Sequence, residues 1–197
     1  MQKQIIVLNG MARSGKQEVF NILNKKIQSE QYSIVDPVRE FLKSLGVRES
    51  GKSEKWRRLM SDIKLALDDY DDVTYQCVRE KTMDFLRCSP SRLLTIDMRE
   101  IKDISRFRKE FDATIVFVQR DDAKIITSNV ADANVFDIDY DYTIPNNGEL
   151  YHLEVEVIKF LQWLMDNKCN GVINSQCLKL DCKYCQDDDG GLYCGKN

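Results

Sequence analysis

Hydrophobic positions change their period several times along the chain. Ile5-Ile6-Val7-Leu8 is a short unbroken apolar run, which predicts a strand buried on both faces. Val19, Leu23 and Ile27 then recur at helical spacing with Phe20 beside them, predicting an amphipathic helix. Tyr32 to Val35 reads as a second strand, closed by Asp36-Pro37. A proline there suits a first helical turn, which has no use for its missing N–H. Phe41, Leu42 and Leu45 continue that helix until Gly46, and Gly51 marks a loop. Trp56, Leu59, Ile63, Ala66, Leu67 and Tyr70 trace a long helical stripe, and a further helix is expected from about Val73 to Leu86. Ser89-Pro90-Ser91 is a turn. Leu93 to Ile96 gives a third strand ending at Asp97. Ile104, Phe107 and Phe111 mark a helix, Thr114 to Val118 a fourth strand ending at Gln119-Arg120, and Tyr142 to Ile144 a fifth. Asn147-Gly148 turns the chain into a last helix carrying Leu150, Leu153, Val157, Phe160, Leu161 and Leu164.

Short buried strands alternating with helices predict an α/β fold, a three-layer sandwich around a mostly parallel five-stranded sheet. The stretch from about residue 37 to 90 is a helical insert between strands two and three. After Met165 the composition shifts. The tail holds five of the 7 cysteines, three consecutive aspartates and several glycines, so residues 1–165 are expected to form the main domain and 166–197 a Cys-rich tail.

Charge narrows the partners. The formal net charge is −3, whereas a protein that holds a nucleic-acid backbone carries a basic excess. The basic clusters Lys55-Trp56-Arg57-Arg58 and Arg106-Phe107-Arg108-Lys109 lie in helical stretches and read as solvated helix faces. No apolar run approaches membrane length, so a cytoplasmic protein with reduced cysteines, no nucleic-acid partner and no membrane partner is expected. The oligomeric state is left open.

The chemistry concentrates after the first strand. Gly10-Met11-Ala12-Arg13-Ser14-Gly15-Lys16 fits the P-loop pattern in its proper strand–loop–helix context. Glycines let consecutive N–H groups curl inward as an anion nest, and the following helix adds the positive end of its dipole. Gly10, Arg13, Ser14, Gly15, Lys16 and Gln17 are therefore the candidate nucleotide-binding set, with the Lys16 ammonium on the terminal phosphates. Residue 17 is Gln, where the pattern has a Ser or Thr hydroxyl for Mg²⁺.

With these residues the chain resembles P-loop nucleotide kinases, in particular phage-type deoxynucleoside monophosphate kinases and dephospho-coenzyme A kinases. The resemblance rests on Gly10 to Lys16, on Asp36-Pro37-Val38-Arg39, on Asp97-Met98-Arg99-Glu100, and on Ile144-Pro145-Asn146-Asn147-Gly148-Glu149-Leu150, which looks like the Ile-x-Asn-x-Gly-x-Leu signature before the last helix. It spans about residues 4 to 165 and omits the tail. It implies the P-loop nucleoside triphosphate hydrolase/kinase fold, ATP and Mg²⁺, and phosphoryl transfer to a nucleoside monophosphate or similar small phosphate acceptor. A long arginine-rich lid after Arg120 is missing.

Ligands of such sheets bind outside the carboxyl ends of the strands, where Gly10, Asp36, Asp97 and Arg120 all fall. Lys16, Asp36, Arg99 and Arg120 are the candidate catalytic residues, and Asp36, Arg39 and Arg99 the acceptor site. Asp36 aligns an acceptor or caps the helix starting at Pro37; Asp97 holds Mg²⁺ or caps the next helix. The three arginines clamp phosphates or form surface ion pairs. An anionic phosphate acceptor needs arginines and no base, whereas a hydroxyl acceptor gains from Asp36 removing its proton. The alternative is a non-catalytic nucleotide-binding protein whose metal position is degenerate at Gln17.

Other clusters are weaker. Cys177, Cys182, Cys185 and Cys194, spaced C-x4-C-x2-C-x8-C, are candidate ligands of a structural Zn²⁺, against a reduced tail. Asp137, Asp139 and Asp141 share one side of an extended segment and read as a solvated face rather than a metal cluster. His152, the only histidine, lies in the last helix, which argues against a Ser-His-Asp machine, and it reads as a surface or boundary residue. Trp56, Trp163, Cys77 and Cys88 read as packing residues.

Overall fold

The computed structural model of the chain describes residues 3–47, 53–121, 135–168, 185–188 and 191–194. Five strands form one parallel sheet: β1 (Gln4–Asn9), β2 (Ser29–Ser33), β3 (Leu93–Asp97), β4 (Thr114–Gln119) and β5 (Tyr142–Pro145), in the order β2-β3-β1-β4-β5. Side chains of the central β1 alternate. Ile6 and Leu8 enter the core shared with α1 (Lys16–Lys26) and α6 (Leu150–Lys168), while Ile5 and Val7 enter the one shared with α4 (Val73–Cys88) and α5 (Ile101–Phe111). The result is the three-layer sandwich, with a strand buried on both faces at its centre.

The helical stretch between β2 and β3 consists of α2 (Asp36–Ser44), α3 (Glu54–Asp71) and α4. Its ends obey local rules. Ser53 Oγ accepts from the Trp56 N–H and caps α3, a contact worth about 1 kcal/mol. Gly46, at φ 75, closes α2 in a left-handed turn in which the Val47 N–H donates to Leu42 O. Val38, Leu42 and Met60 form a small core of their own, with Trp56 against it. Trp163 packs on the α1–α6 core, so both tryptophans serve packing.

The second strand departs from the expected Tyr32–Val35. It runs Ser29–Ser33, an edge strand bonded only to β3 and only partly buried, so its polar residues leave no apolar signature. Its needs are met by side chains instead: Thr95 Oγ1 donates to Glu30 O, and Lys81 and Ser89 both donate to the Glu30 carboxylate. Ile34, expected in the strand, lies in the following turn, where its N–H donates to Asp97 O.

Around α5 the surface is tied by charge. Arg108 donates to Asp139 O, Asp139 Oδ2 and Asp141 Oδ2, and Asp141 Oδ2 also accepts from the Ile115 N–H. The three aspartates of 137–141 are therefore not an extended metal-binding face: Val135–Asp137 is a short 3-10 turn and two of the carboxylates hold an arginine. Among the described residues no helix is long and apolar enough to cross a membrane. A separate antiparallel hairpin pairs β6 (Cys185–Asp188) with β7 (Gly191–Cys194) and sets Cys185 opposite Cys194 in register. Cys177 and Cys182 lie outside the described residues.

Candidate functional site

The strand order lines the chemistry up along one edge of the sheet. At the carboxyl ends, in spatial sequence, come the turn with Asp36 after β2, Asp97 at the end of β3, the glycine loop after β1, Arg120 after β4 and Asn146 after β5. Register fixes the neighbours: Asp97 is aligned with Leu8 of β1 and with Ser33 of β2. Residues aligned across a parallel pair share a face, so Asp97 lies on the side of the sheet that Leu8 shares with α1.

The loop from Asn9 to Lys16 is curled by three left-handed residues, Gly10 at φ 144, Arg13 at φ 66 and Gly15 at φ 100. A side chain at either glycine is excluded twice over, by φ and by space. A Cβ on Gly10 would come within 2.5 Å of Val118 O, and one on Gly15 would collide with Asn146 Nδ2. The Gly10 N–H donates to Asn9 Oδ1 at 2.6 Å, and the Ser14 N–H to Met11 O. Gly15 is the N-cap of α1 and gives its first turn no side-chain acceptor, which leaves the positive end of the helix for a ligand. Lys16 Nζ folds back over the loop, donating to Gly10 O at 2.7 Å and Met11 O at 3.2 Å. That places its ammonium at the loop's opening.

Three buried polar atoms near these strand ends find no hydrogen-bond partner among the described residues: Asn9 Nδ2, Ser14 Oγ and Asp97 Oδ1. Orphans of this kind are costly in a finished core; the other three, Arg106 Nε, Arg108 Nε and Thr114 Oγ1, lie on α5 and at the start of β4. Asp97 does not cap the next helix; that place belongs to Glu100.

Gln17 is held sideways. Its Nε2 donates to Asn21 Oδ1 and to Gln31 Oε1 on β2, both at 3.2 Å. Asn21 Nδ2 in turn reaches Glu18 Oε2, which orients the Asn21 amide and through it the Gln17 amide. Both Gln17 amide protons are thereby spent, and its Oε1 is the atom left to accept.

Of the two readings of Asp36, the helix cap does not hold. α2 starts at Asp36 itself with Val35 as N-cap, and Asp36 Oδ2 reaches back to accept the Ser33 N–H at 2.7 Å. Its other oxygen holds Arg39 Nη1 at 2.5 Å, so these two residues form one ion pair just after β2. Arg99 is half-buried two residues after Asp97, Arg120 and Arg13 are exposed, and Arg58 is a solvated helix residue paired with Asp62. Burial, followed by the charges of Glu80 and Glu40, pushes the Cys77 thiol up, so it is no activated nucleophile. Among the described residues no group of three or more His, Cys, Asp or Glu side chains is placed to hold a metal ion.

No family model matches the chain, and no curated protein matches its sequence. Its fold has counterparts among solved structures. TT1252 from Thermus thermophilus is similar with a TM-score of 0.50 at 15% identity, over 83% of this chain and 99% of that one. A sugar kinase from Janibacter sp. HTCC2649, solved unliganded, is similar with a TM-score of 0.50 at 10% identity, over 82% of this chain and 95% of that one. At such identities the likeness concerns the fold.

Two contributors were not assigned a role from sequence. Asn146 Nδ2 donates to Ser14 O at 2.8 Å in a buried contact that crosses the sheet edge. Lys64 of α3, buried, joins Asp68, Glu100 and Asp103, and so fastens the helical insert to the segment carrying Arg99. The first is the leading Asn of the Ile144 to Leu150 stretch on which the resemblance partly rests; the second has no signal beyond a lysine on an apolar stripe.

Proposed function

We propose that this chain is an ATP-dependent phosphotransferase whose acceptor is a nucleoside monophosphate or a similar small phosphate compound. The observation that carries the reading is the loop after β1: left-handed residues, an uncapped helix start and Lys16 folded across the opening. Such a site grips the β- and γ-phosphates. Gly10, Arg13, Ser14, Gly15, Lys16 and Gln17 bind the donor, Asp36, Arg39 and Arg99 the acceptor, and Lys16, Arg99 and Arg120 neutralise the charge that spreads over the transferred group. Asp36, already a partner of Arg39, orients that arginine toward an anionic acceptor. The sugar kinase of similar fold widens the acceptor panel to hydroxyl compounds.

Asp97 fits a Mg²⁺ site through its orphaned Oδ1, and Gln17 offers an amide oxygen in place of a hydroxyl. When bound, Mg²⁺ neutralises phosphate charge, and it needs only one or two carboxylates besides phosphate and water. A second reading, a nucleotide-binding protein without turnover, is favoured by residue 17 being Gln, which lacks the hydroxyl that the loop pattern offers to Mg²⁺. One experiment separates the two. Purified protein is incubated with ATP, Mg²⁺ and a panel of nucleoside monophosphates and sugars, and diphosphates and sugar phosphates are sought. Nucleotide binding without product favours the second reading, and absence of binding removes both.

A further inference from the structure

The turn between β5 and α6 carries two adjacent asparagines that grip two different loops. Asn146 has its own N–H bonded to Gln119 O at 2.7 Å, so it is anchored to the end of β4. From there its Nδ2 donates to Ser14 O at 2.8 Å, and the same atom fills the space a Gly15 side chain would need. The Ser14–Gly15 peptide is planar and trans, so its C=O and N–H point in opposite directions. A carbonyl drawn toward Asn146 turns the Gly15 N–H the other way, away from Asn146. Asn147 makes a two-point grip on the residue after Arg120: its Oδ1 accepts the Asp121 N–H at 2.9 Å and its Nδ2 donates to Asp121 Oδ2 at 2.7 Å. Gln119 Nε2 holds the other oxygen of Asp121 at 2.9 Å. Arg120 therefore leaves the sheet between two fixed neighbours.

We infer that Asn146 and Asn147 are positioning residues for phosphate binding. Asn146 sets the Gly15 amide, Asn147 sets the backbone of Arg120, and the two together tie the phosphate loop to the arginine across β4. The inference rests on the phosphate-site reading above. Neither asparagine touches the ligand; each acts through the residue it holds.

The test uses the full chain and two probes, ATP and inorganic tripolyphosphate, which has no base or sugar. Affinities are measured by calorimetry on variants shown to be folded by circular dichroism. Asn146→Ala is expected to weaken both probes by about tenfold, equivalent to about 1.4 kcal/mol. The isosteric Asn146→Asp is expected to weaken them further, because a carboxylate cannot donate to Ser14 O and repels phosphate; it also covers the case in which the alanine variant fails to fold. Asn147→Ala is expected to weaken tripolyphosphate in the parent chain and to add nothing in an Arg120→Ala background. A purely structural role would lower thermal stability with affinities unchanged. Parent-like affinity in both folded Asn146 variants, or an Asn147 effect that persists without Arg120, overturns the inference while leaving the phosphate site standing. A parent chain that binds neither probe overturns the site and the inference together.

Discussion

Lys64 Nζ stands 2.9 Å from Glu100 Oε1, and this contact joins the insert helix α3 to the residue that follows Arg99. The same ammonium lies 2.6 Å from Asp68 and 3.6 Å from Asp103, and the side chains of Lys64 and Asp103 are only 8% and 7% exposed. Burial raises the Asp103 carboxyl above its ordinary value, with the Lys64 charge opposing. Lys64→Met would leave three carboxylates facing one another without their cation. Breaking a buried pair in this way costs about 3–5 kcal/mol. Urea denaturation should show a loss of that order, and a loss under about 1 kcal/mol would mean the cluster behaves as a solvated surface group.

Lys16 and Arg58 make a matched pair of cations with opposite expectations. Lys16 bends over the loop carbonyls, whereas Arg58 is 84% exposed and pairs with Asp62 at 3.8 Å. Lys16→Ala should weaken ATP binding by about tenfold or more, the loss of a charge-assisted contact to phosphate. Arg58→Ala should leave the affinity unchanged. Calorimetric titrations giving equal affinities for the two variants would remove Lys16 from the site.

Gln17→Thr restores a compact hydroxyl at the start of α1 and releases the amide from Asn21 and Gln31. Mg²⁺-dependent transfer should be maintained or raised, since the tight octahedral geometry of Mg²⁺ is served by the shorter ligand. The check is a steady-state rate at several Mg²⁺ concentrations. A large drop in a well-folded variant would show that the amide has a task the hydroxyl cannot fill.

What the sequence revealed follows from which signals are local. Ile5-Ile6-Val7-Leu8 and Gly10 to Lys16 announce themselves because burial on both faces and left-handed backbone each demand particular residue types in order. β2 escapes the hydrophobic pattern because an edge strand of Ser29, Glu30, Gln31, Tyr32 and Ser33 needs no apolar alternation once Thr95, Lys81 and Ser89 satisfy it. Of the two readings of Asp36, acceptor alignment and helix cap, the cap does not hold, because an Asp before a proline looks the same whether it serves the helix ahead or the Ser33 N–H behind. Asn146 and Ser14 are 132 residues apart, and nothing short of the strand order reveals that they meet.

Asp72 joins the α3–α4 corner to α5. It accepts from Arg106 Nη1 at 2.8 Å, and this bond holds its carboxyl below the ordinary value, with the Lys102 and Lys64 charges adding to the effect. A depressed folded pKa contributes stability that is present above the unfolded pKa of about 3.9 and is lost as pH falls through the folded value. Thermal stability measured from pH 6 downward should therefore show an acid loss below about pH 4 that is shallower in Asp72→Asn. Asn tolerates the left-handed backbone at this corner, φ 50, so the variant tests the charge and not the turn. Identical acid profiles for the two proteins would assign the acid sensitivity to other carboxylates.

The tail can be tested for zinc without its activity being known. Cys185 and Cys194 face each other in the β6–β7 register, and Cys182 precedes Cys185 at the spacing of a two-thiolate knuckle. Four thiolates from Cys177, Cys182, Cys185 and Cys194 on one tetrahedral Zn²⁺ would have Zn–S bonds near 2.3 Å and sulfurs within about 4 Å of one another. Protein purified without chelator should then carry one equivalent of zinc, and Co²⁺ substitution should give thiolate charge-transfer absorption that Cys185→Ser abolishes. Chelation should expose the tail to protease while the sheet domain, with its own two cores, keeps its unfolding transition. A metal content under about a tenth of an equivalent, with all thiols open to alkylation, would establish a reduced tail without a metal.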